Sequence, residues 1–286
     1  MASRGVDFLM IGHFAKDRLV VDGKGETSSG GGVYYGSVVI RRLGLDVAVM
    51  TRLSGEDWAR LDELTGLGVQ VYATRAGQTS GIENYYNSAD MERRVCKPLG
   101  FAGPFQVSDL PDLAARIYAL VPIIAGEIDL AFLKATAQRG PVALDLQGFV
   151  RVTEGNDLVF KPWPQMKEGL AQVTYLKVDR AEAELSTGET ELAVAARRLH
   201  DFGPREIVVT ESAGVTVFAD GKTYSAPFTP RSLAGRTGRG DTCFASYLAI
   251  RLSRPPEEAC RVAAAVTTAK MEKPGPWEGK LQVTEF

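Results

Sequence analysis

Apolar residues recur along this chain in short continuous blocks, and most blocks are followed by a stretch with helical spacing. Val6-Asp7-Phe8-Leu9-Met10-Ile11-Gly12 predicts a buried strand ended by a glycine, and Val47-Ala48-Val49-Met50 a second. Helical spacing predicts helices over Val33 to Leu43, stopped by Gly44, and over Glu56 to Leu67, closed by Gly68. Val69 to Ala73 reads as a third strand. From Asp109 the alternation becomes regular: helix Leu110 to Ala119, strand Val121 to Ala125, helix Asp129 to Arg139, strand Pro141 to Leu146. Strand Val173 to Val178, helices near Ala181–Thr187 and Glu191–Phe202, and strand Glu206 to Thr210 follow. Val215 to Phe218 then runs into a hairpin at Ala219-Asp220-Gly221-Lys222, and two helices, Cys243 to Arg251 and Pro255 to Met271, precede an irregular tail. Strands alternating with helices imply an α/β fold with a mostly parallel sheet covered on both faces.

Two stretches break this rhythm. Leu19 to Lys24 looks like a short exposed hairpin. Thr79 to Tyr86 and Glu92 to Lys97 alternate polar with apolar or aromatic residues around a turn at Ser88-Ala89-Asp90, the period of an antiparallel pair with one wet face. Such strands inside a βα pattern suggest a small sheet standing apart from the core as a lid, drawn from about 15–29 and 71–100. Glu83 and Asn84 sit on it, where a polar group meets either a substrate or solvent.

The 286 residues suffice for one large domain, and no repeat, low-complexity segment or linker divides them, so a single domain over 1–286 is expected. A net charge of -2 gives no electrostatic reason to expect nucleic acid or an anionic membrane as partner. No apolar run approaches the ~20 residues of a membrane span. Met1 to Gly5 leads straight into a strand pattern without the long apolar segment of a leader. Cys96, Cys243 and Cys260 are odd in number and unspaced for metal or disulfide frameworks, which points to a reducing cytoplasm. With only His13 and His200 available, acid–base chemistry falls to carboxylates.

The richest stretch is Gly235-Arg236-Thr237-Gly238-Arg239-Gly240-Asp241-Thr242, a glycine turn opening onto a helix. Unpaired N–H groups backed by the helix dipole make such a turn an anion site. Asp241 among these donors is either the helix cap or a group acting on whatever carries the anion. A Walker A loop would have lysine where Asp241 stands, and a dinucleotide loop would follow the first strand, where Gly12 lacks partner glycines. Asp17 lies just past the first strand, where open parallel sheets bind ligands, and Gly30-Gly31-Gly32 allow a ligand close to the backbone. Asp179 and Glu182, at i and i+3, share a helix face, either as metal-holding acids or as a capping carboxylate and a surface acid. Phosphoryl transfer needs these parts: donors for developing charge, a carboxylate to deprotonate a hydroxyl, and acids to hold Mg²⁺ through water.

In these residues the chain resembles the PfkB, or ribokinase-like, carbohydrate kinases. Gly238-Arg239-Gly240-Asp241 resembles their Gly-Ala-Gly-Asp core, and Gly30-Gly31 with Arg42-Leu43-Gly44 their first signature. Lys177-Val178-Asp179-Arg180-Ala181-Glu182 fits their Asn-x-x-Glu magnesium motif with Asp for Asn. Thr210 to Gly214 falls at their nucleotide-binding Thr-x-Gly-x-x-Gly, and Thr267 and Thr268 at the adenine pocket. Gly235-Arg236 departs from the usual Asp-Thr, so Gly235 cannot supply that carboxylate. Gly12-His13-x-x-Lys16-Asp17, Asp145-x-Gln147-Gly148-Phe149-Val150-Arg151, the Gly235–Thr242 loop and Pro274-Gly275-Pro276 are most similar to the family's myo-inositol 3-kinase branch.

The resemblance implies a three-layer sandwich with a β-sheet lid and an ATP- and Mg²⁺-dependent kinase acting on a small polyol or sugar. Asp241 would then be the general base, with the N–H groups of Gly238, Arg239 and Gly240 holding the transferring phosphoryl. Asp17, Gly30 and Gly31, with Glu83 or Asn84 from the lid, would bind the polyol. Lys177, Asp179, Thr210, Gly214, Arg236, Gly238, Gly240 and Thr268 would bind ATP, and Glu182 and Asp179 the metal through water. Arg236 or Arg239 would compensate for the missing aspartate. A ketose acid, nucleoside or hexose remains open as acceptor, as does a non-catalytic sugar-binding protein, and the lid leaves both a monomer and a homodimer open.

Overall fold

Along β1 (Val6–Ile11), Phe8 and Met10 enter one apolar cluster while Leu9 and Ile11 enter another, so alternate residues serve opposite faces of a doubly covered strand. The computed structural model describes residues 5–87 and 90–279. Its central sheet has nine strands. Their order is β15 (Lys222–Pro227), β14 (Gly214–Ala219), β13 (Glu206–Thr210), β12 (Tyr175–Asp179), β9 (Val142–Asp145), β8 (Ala115–Leu120), β1, β4 (Val47–Ser54) and β5 (Gln70–Ala76). From β13 to β5 neighbours run parallel, and β14 and β15 are added antiparallel.

Helices α1 (Gly32–Arg42), α8 (Arg239–Arg251) and α9 (Pro256–Met271) bury residues in the cluster of Phe8 and Met10. On the other side, α3 (Leu130–Ala137), α6 (Arg180–Thr187) and α7 (Leu192–His200) bury theirs in the cluster of Leu9 and Ile11. Three short helical turns, α2 (Asp62–Thr65), α4 (Gln147–Val150) and α5 (Met166–Leu170), complete the three layers. No described helix is long and apolar enough to cross a membrane.

The lid is a separate four-stranded sheet in the order β3 (Lys24–Gly30), β2 (Ala15–Val21), β6 (Gly81–Asn87), β7 (Asp90–Gly100). Its second half is shorter than predicted, because residues 71–76 belong to β5 at the edge of the central sheet. Of the predicted turn, Ser88 and Ala89 lie outside the described residues. A two-stranded hairpin, β10 (Arg151–Glu154) and β11 (Asp157–Phe160), has no counterpart in the sequence reading.

The largest difference lies at 110–125. The predicted helix Leu110–Ala119 is instead a turn leading into β8, and the predicted strand Val121–Ala125 is a loop. Leu110 and Leu113 are buried at helical spacing, but the slot between β1 and β9 claims Ala115–Leu120. Pro122 then has no N–H for the ladder. The chain turns over Glu127, whose Oε1 accepts the N–H groups of Ile123 and Ile124 at 2.7 and 2.9 Å. Glu56–Leu67 is likewise not one helix but a 3-10 turn at Gly55–Leu61 followed by α2.

Candidate active site

Strands β1, β9, β12 and β13 run parallel and end on one side of the sheet, where Lys177 and Asp179 of β12 and Thr210 of β13 line one cavity with the glycine turn that opens α8. That helix begins at Arg239, four residues earlier than predicted, so Asp241 is its third residue and not its cap. The cap position belongs to Gly238, at φ 78°, and no side chain caps the first turn. Ahead of it, a Cβ at Gly235 would run into the carbonyl oxygen of Lys273. The family's aspartate therefore has no room here, which accounts sterically for the departure at this position.

Beneath the turn, Lys177 on β12 is 3% exposed, yet its Nζ lies 3.1 Å from both carboxylate oxygens of Asp145 and 3.8 Å from Glu182 Oε2. Burial opposes its charge, but Asp145, Glu182, Asp179 and Asp241 together outweigh it and raise its pKa, so the ammonium is permanent. A Cβ at Gly240 would lie 3.3 Å from Lys177 Cε, which puts the lysine against the first turn of α8. Asp241 is partly open to the cavity and otherwise enclosed. Burial, then repulsion from Asp145, pushes its pKa up to about 6 against the pull of Lys177, Arg151 and Lys270.

Asp179 and Glu182 form a reciprocal capping box: Asp179 Oδ1 accepts the Glu182 N–H at 2.8 Å, and Glu182 Oε2 accepts the Asp179 N–H at 2.7 Å. The capping alternative is therefore realised for Asp179. Glu182 is not a surface acid but fully buried, and burial raises its pKa. Among the described residues no group of three or more His, Cys, Asp or Glu is arranged to hold a metal alone. Glu182 Oε1 is nevertheless a buried acceptor without a hydrogen-bond partner, adjoining Asp179, which faces the cavity. Hard carboxylate oxygens of this kind suit Mg²⁺ held through water and through a ligand's phosphate oxygens.

On the lid side, Asp17 lies on β2, not in the loop after β1, and its Oδ1 accepts the Ile82 N–H at 2.9 Å. Gly30 leaves the space that the Asp17 carboxylate fills. Tyr35, buried on α1, has its phenol pKa raised by burial and then by Asp17 and Asp241, with which it lines the same cavity. Strand alternation separates the two lid candidates. Asn84 lines the cavity, whereas Glu83 points the other way and is engaged by Arg18 at 2.8 Å and the Tyr85 hydroxyl at 2.6 Å.

One cavity of about 290 Å³ gathers most of the predicted site: Asp17, Gly31, Asn84, Lys177, Asp179, Thr210, Arg236, Gly238, Arg239, Gly240 and Asp241 all line it. Gly30, Glu83, Glu182, Gly214 and Thr268 do not. Gly214 is paired with Pro227 in the β14–β15 ladder, and the Thr268 hydroxyl accepts the Thr229 N–H at 3.1 Å. Tyr35, Gln147 and Arg151 line the cavity without having been singled out as site residues. Gln147 and Arg151, joined by a 2.9 Å hydrogen bond, sit in the quoted Asp145–Arg151 motif, where two polar groups one helical turn apart were the available signal. Lys270 was also missed; a lysine on the core-facing side of the last helix is anomalous in composition alone.

This chain matches the pfkB family of carbohydrate kinases over residues 12–281. It is 25% identical over 286 residues to a cytidine kinase of Thermococcus kodakarensis, covering 95% of this chain and 98% of that one. Among solved structures it is similar to a pyrophosphate-dependent kinase in the ribokinase family complexed with a pyrophosphate analogue and myo-inositol. The identity is 37%, the TM-score 0.89, and the match covers 95% of this chain and 97% of that chain. A pyrophosphate-dependent myo-inositol-1 kinase converted into a myo-inositol-3 kinase by mutation is similar at 36% identity and TM-score 0.88, over 95% of each chain. Arabidopsis thaliana ribokinase complexed with ribose and ATP, at 20% identity and TM-score 0.75 over 98% of this chain and 97% of that one, shares the fold.

Proposed function

This chain belongs to the pfkB family of carbohydrate kinases, and we propose that it phosphorylates a hydroxyl of a small polyol, myo-inositol first, with pyrophosphate as the phosphoryl donor. The observation that carries the reading is the single cavity in which Asp241 faces the lid residues Asp17 and Asn84 on one side and the cations Lys177, Arg236 and Arg239 on the other. The donor differs from the ATP that the general resemblance implied. Solved structures of pyrophosphate-dependent kinases at 36–37% identity support the change. The cavity supports it too, since about 290 Å³ lies at the small end for ligand pockets, while Gly214 and Thr268 are committed to backbone contacts outside it.

In the reaction, the acceptor hydroxyl lies against Asp241, which takes its proton as the new O–P bond forms. The P–O bond to the leaving phosphate breaks, and its electrons stay on that phosphate. N–H groups of Gly238 and Gly240 at the helix start, with the Arg236 and Arg239 guanidiniums, meet the charge on the transferring oxygens. The Arg239 N–H, expected to join them, instead donates to the Arg236 carbonyl at 3.2 Å. Lys177 stays charged throughout, so it fixes positive potential without exchanging a proton. Asn84 and Asp17 hold acceptor hydroxyls, and the lid limits water attack on the donor. Asp179 and Glu182 are the residues that would hold Mg²⁺ through water; when bound, the ion neutralises donor phosphate charge.

The test is an initial-rate panel in which pyrophosphate and ATP are each offered with myo-inositol, ribose, fructose and cytidine. The reading expects fastest product formation with myo-inositol. Fastest turnover with cytidine would replace the polyol by a nucleoside acceptor, and no turnover on any of them would point to a binding protein.

A further inference from the structure

Lys270 lies in the last turn of α9 and is 2% exposed. Its Nζ donates to the carbonyl oxygen of Gly235 at 2.5 Å and also to that of Thr237, and it stands 5.1 Å from the centroid of the Tyr35 ring. Burial lowers its pKa to about 8, and Asp241 nearby offsets part of that loss. A second stitch binds the same place, because the Gly235 N–H donates to the Met271 carbonyl at 2.8 Å. Burying an ammonium against backbone carbonyls is costly unless those bonds are well made. A methionine would fill this space without that cost.

Peptide geometry gives the contact its consequence. In a trans peptide the C=O and the following N–H point in opposite directions. Drawing the Gly235 and Thr237 carbonyls down onto Lys270 turns the N–H groups of Arg236 and Gly238 the other way. These same residues, Arg236, Thr237 and Gly238, line the cavity, whereas Lys270 does not. We propose that Lys270 is a positioning residue, a tethered cation beneath the anion loop that gathers its carbonyls and so presents its N–H groups to the phosphate of the donor. It touches neither donor nor acceptor. It supplies internally the cation that converging carbonyls would otherwise have to find in solution. This rests on the reading that the Gly235–Asp241 loop binds the donor's phosphate.

The experiment measures pyrophosphate affinity by titration calorimetry, and donor and acceptor KM by initial rates, for wild type, Lys270→Met and Lys270→Gln. Glutamine is included in case methionine does not fold. Loss of the clamp is expected to weaken pyrophosphate binding about tenfold and raise donor KM in parallel, with acceptor KM changed less than about twofold. In Lys270→Ala, methylammonium should restore donor KM in a saturable way. Pyrophosphate affinity within about threefold of wild type in a folded variant, or donor and acceptor KM rising together without rescue, would overturn the proposal. Wild type that turns over only ATP would overturn the donor reading alone, since the clamp is still read from pyrophosphate affinity. Wild type that binds no pyrophosphate would overturn both.

Discussion

Replacing Asp241 by asparagine removes the proposed base and also a negative charge that the fold holds at a cost. Burial, then Asp145, raises the carboxyl from 3.8 to about 6, despite Lys177, Arg151 and Lys270. In the unfolded chain it titrates near its ordinary value. Between those two values the folded state keeps a proton that the unfolded state has lost. The stability this confers is complete below the unfolded pKa and is lost as the pH rises through about 6. Near pH 7.5 the ionised group therefore costs about 3 kcal/mol, from about two pH units at roughly 1.36 kcal/mol each, and cavity water reduces this to about 2 kcal/mol. Asparagine has the same shape without the charge. The variant should melt about 4 °C above wild type near pH 7.5 and show no advantage near pH 4. Its turnover should fall by about 10²- to 10⁴-fold, and wild-type kcat should itself fall below about pH 6 as Asp241 takes its proton. Scanning calorimetry at both pH values, with initial rates, checks this. A variant that is no more stable near pH 7.5 than wild type, or that turns over near-normally, refutes the reasoning.

Lys177→Met leaves Asp145 and Glu182 buried without their shared cation and should destabilise the fold by about 3–5 kcal/mol in denaturant unfolding. Asn84→Leu removes a polar group from the lid side of the cavity and should raise acceptor KM by about tenfold while leaving donor KM unchanged in initial rates. Gly235→Asp, which restores the residue common in the family, should lower stability by about 3 kcal/mol in the same unfolding assay, because its Cβ meets the Lys273 carbonyl.

Where local period and tertiary demand agree, the structure was legible in the sequence. Helix α1 and strand β12 fall within two residues of expectation, and the acidic pair after β12 sits on the helix start its spacing implied. The glycine turn before α8 was legible as an anion site because glycines leading into a helix leave N–H groups unpaired, although the helix itself starts four residues earlier than its apolar spacing indicated. Residues 110–120 were not, since two leucines at helical spacing carry no record of the open slot between β1 and β9. The choice between Glu83 and Asn84 turned on which lid face meets the cavity, and adjacent residues in a strand are symmetrical until the lid is docked. Lys270 stood out only as a lysine on a core-facing helix position; its contacts were not legible, because its partners are backbone carbonyls, which every residue has.

The donor is the central claim, and the ratio of kcat/KM for pyrophosphate to that for ATP, with myo-inositol saturating, tests it most directly. A compact cavity lined by Lys177, Arg236 and Arg239 predicts a ratio well above one. A ratio below one would contradict it.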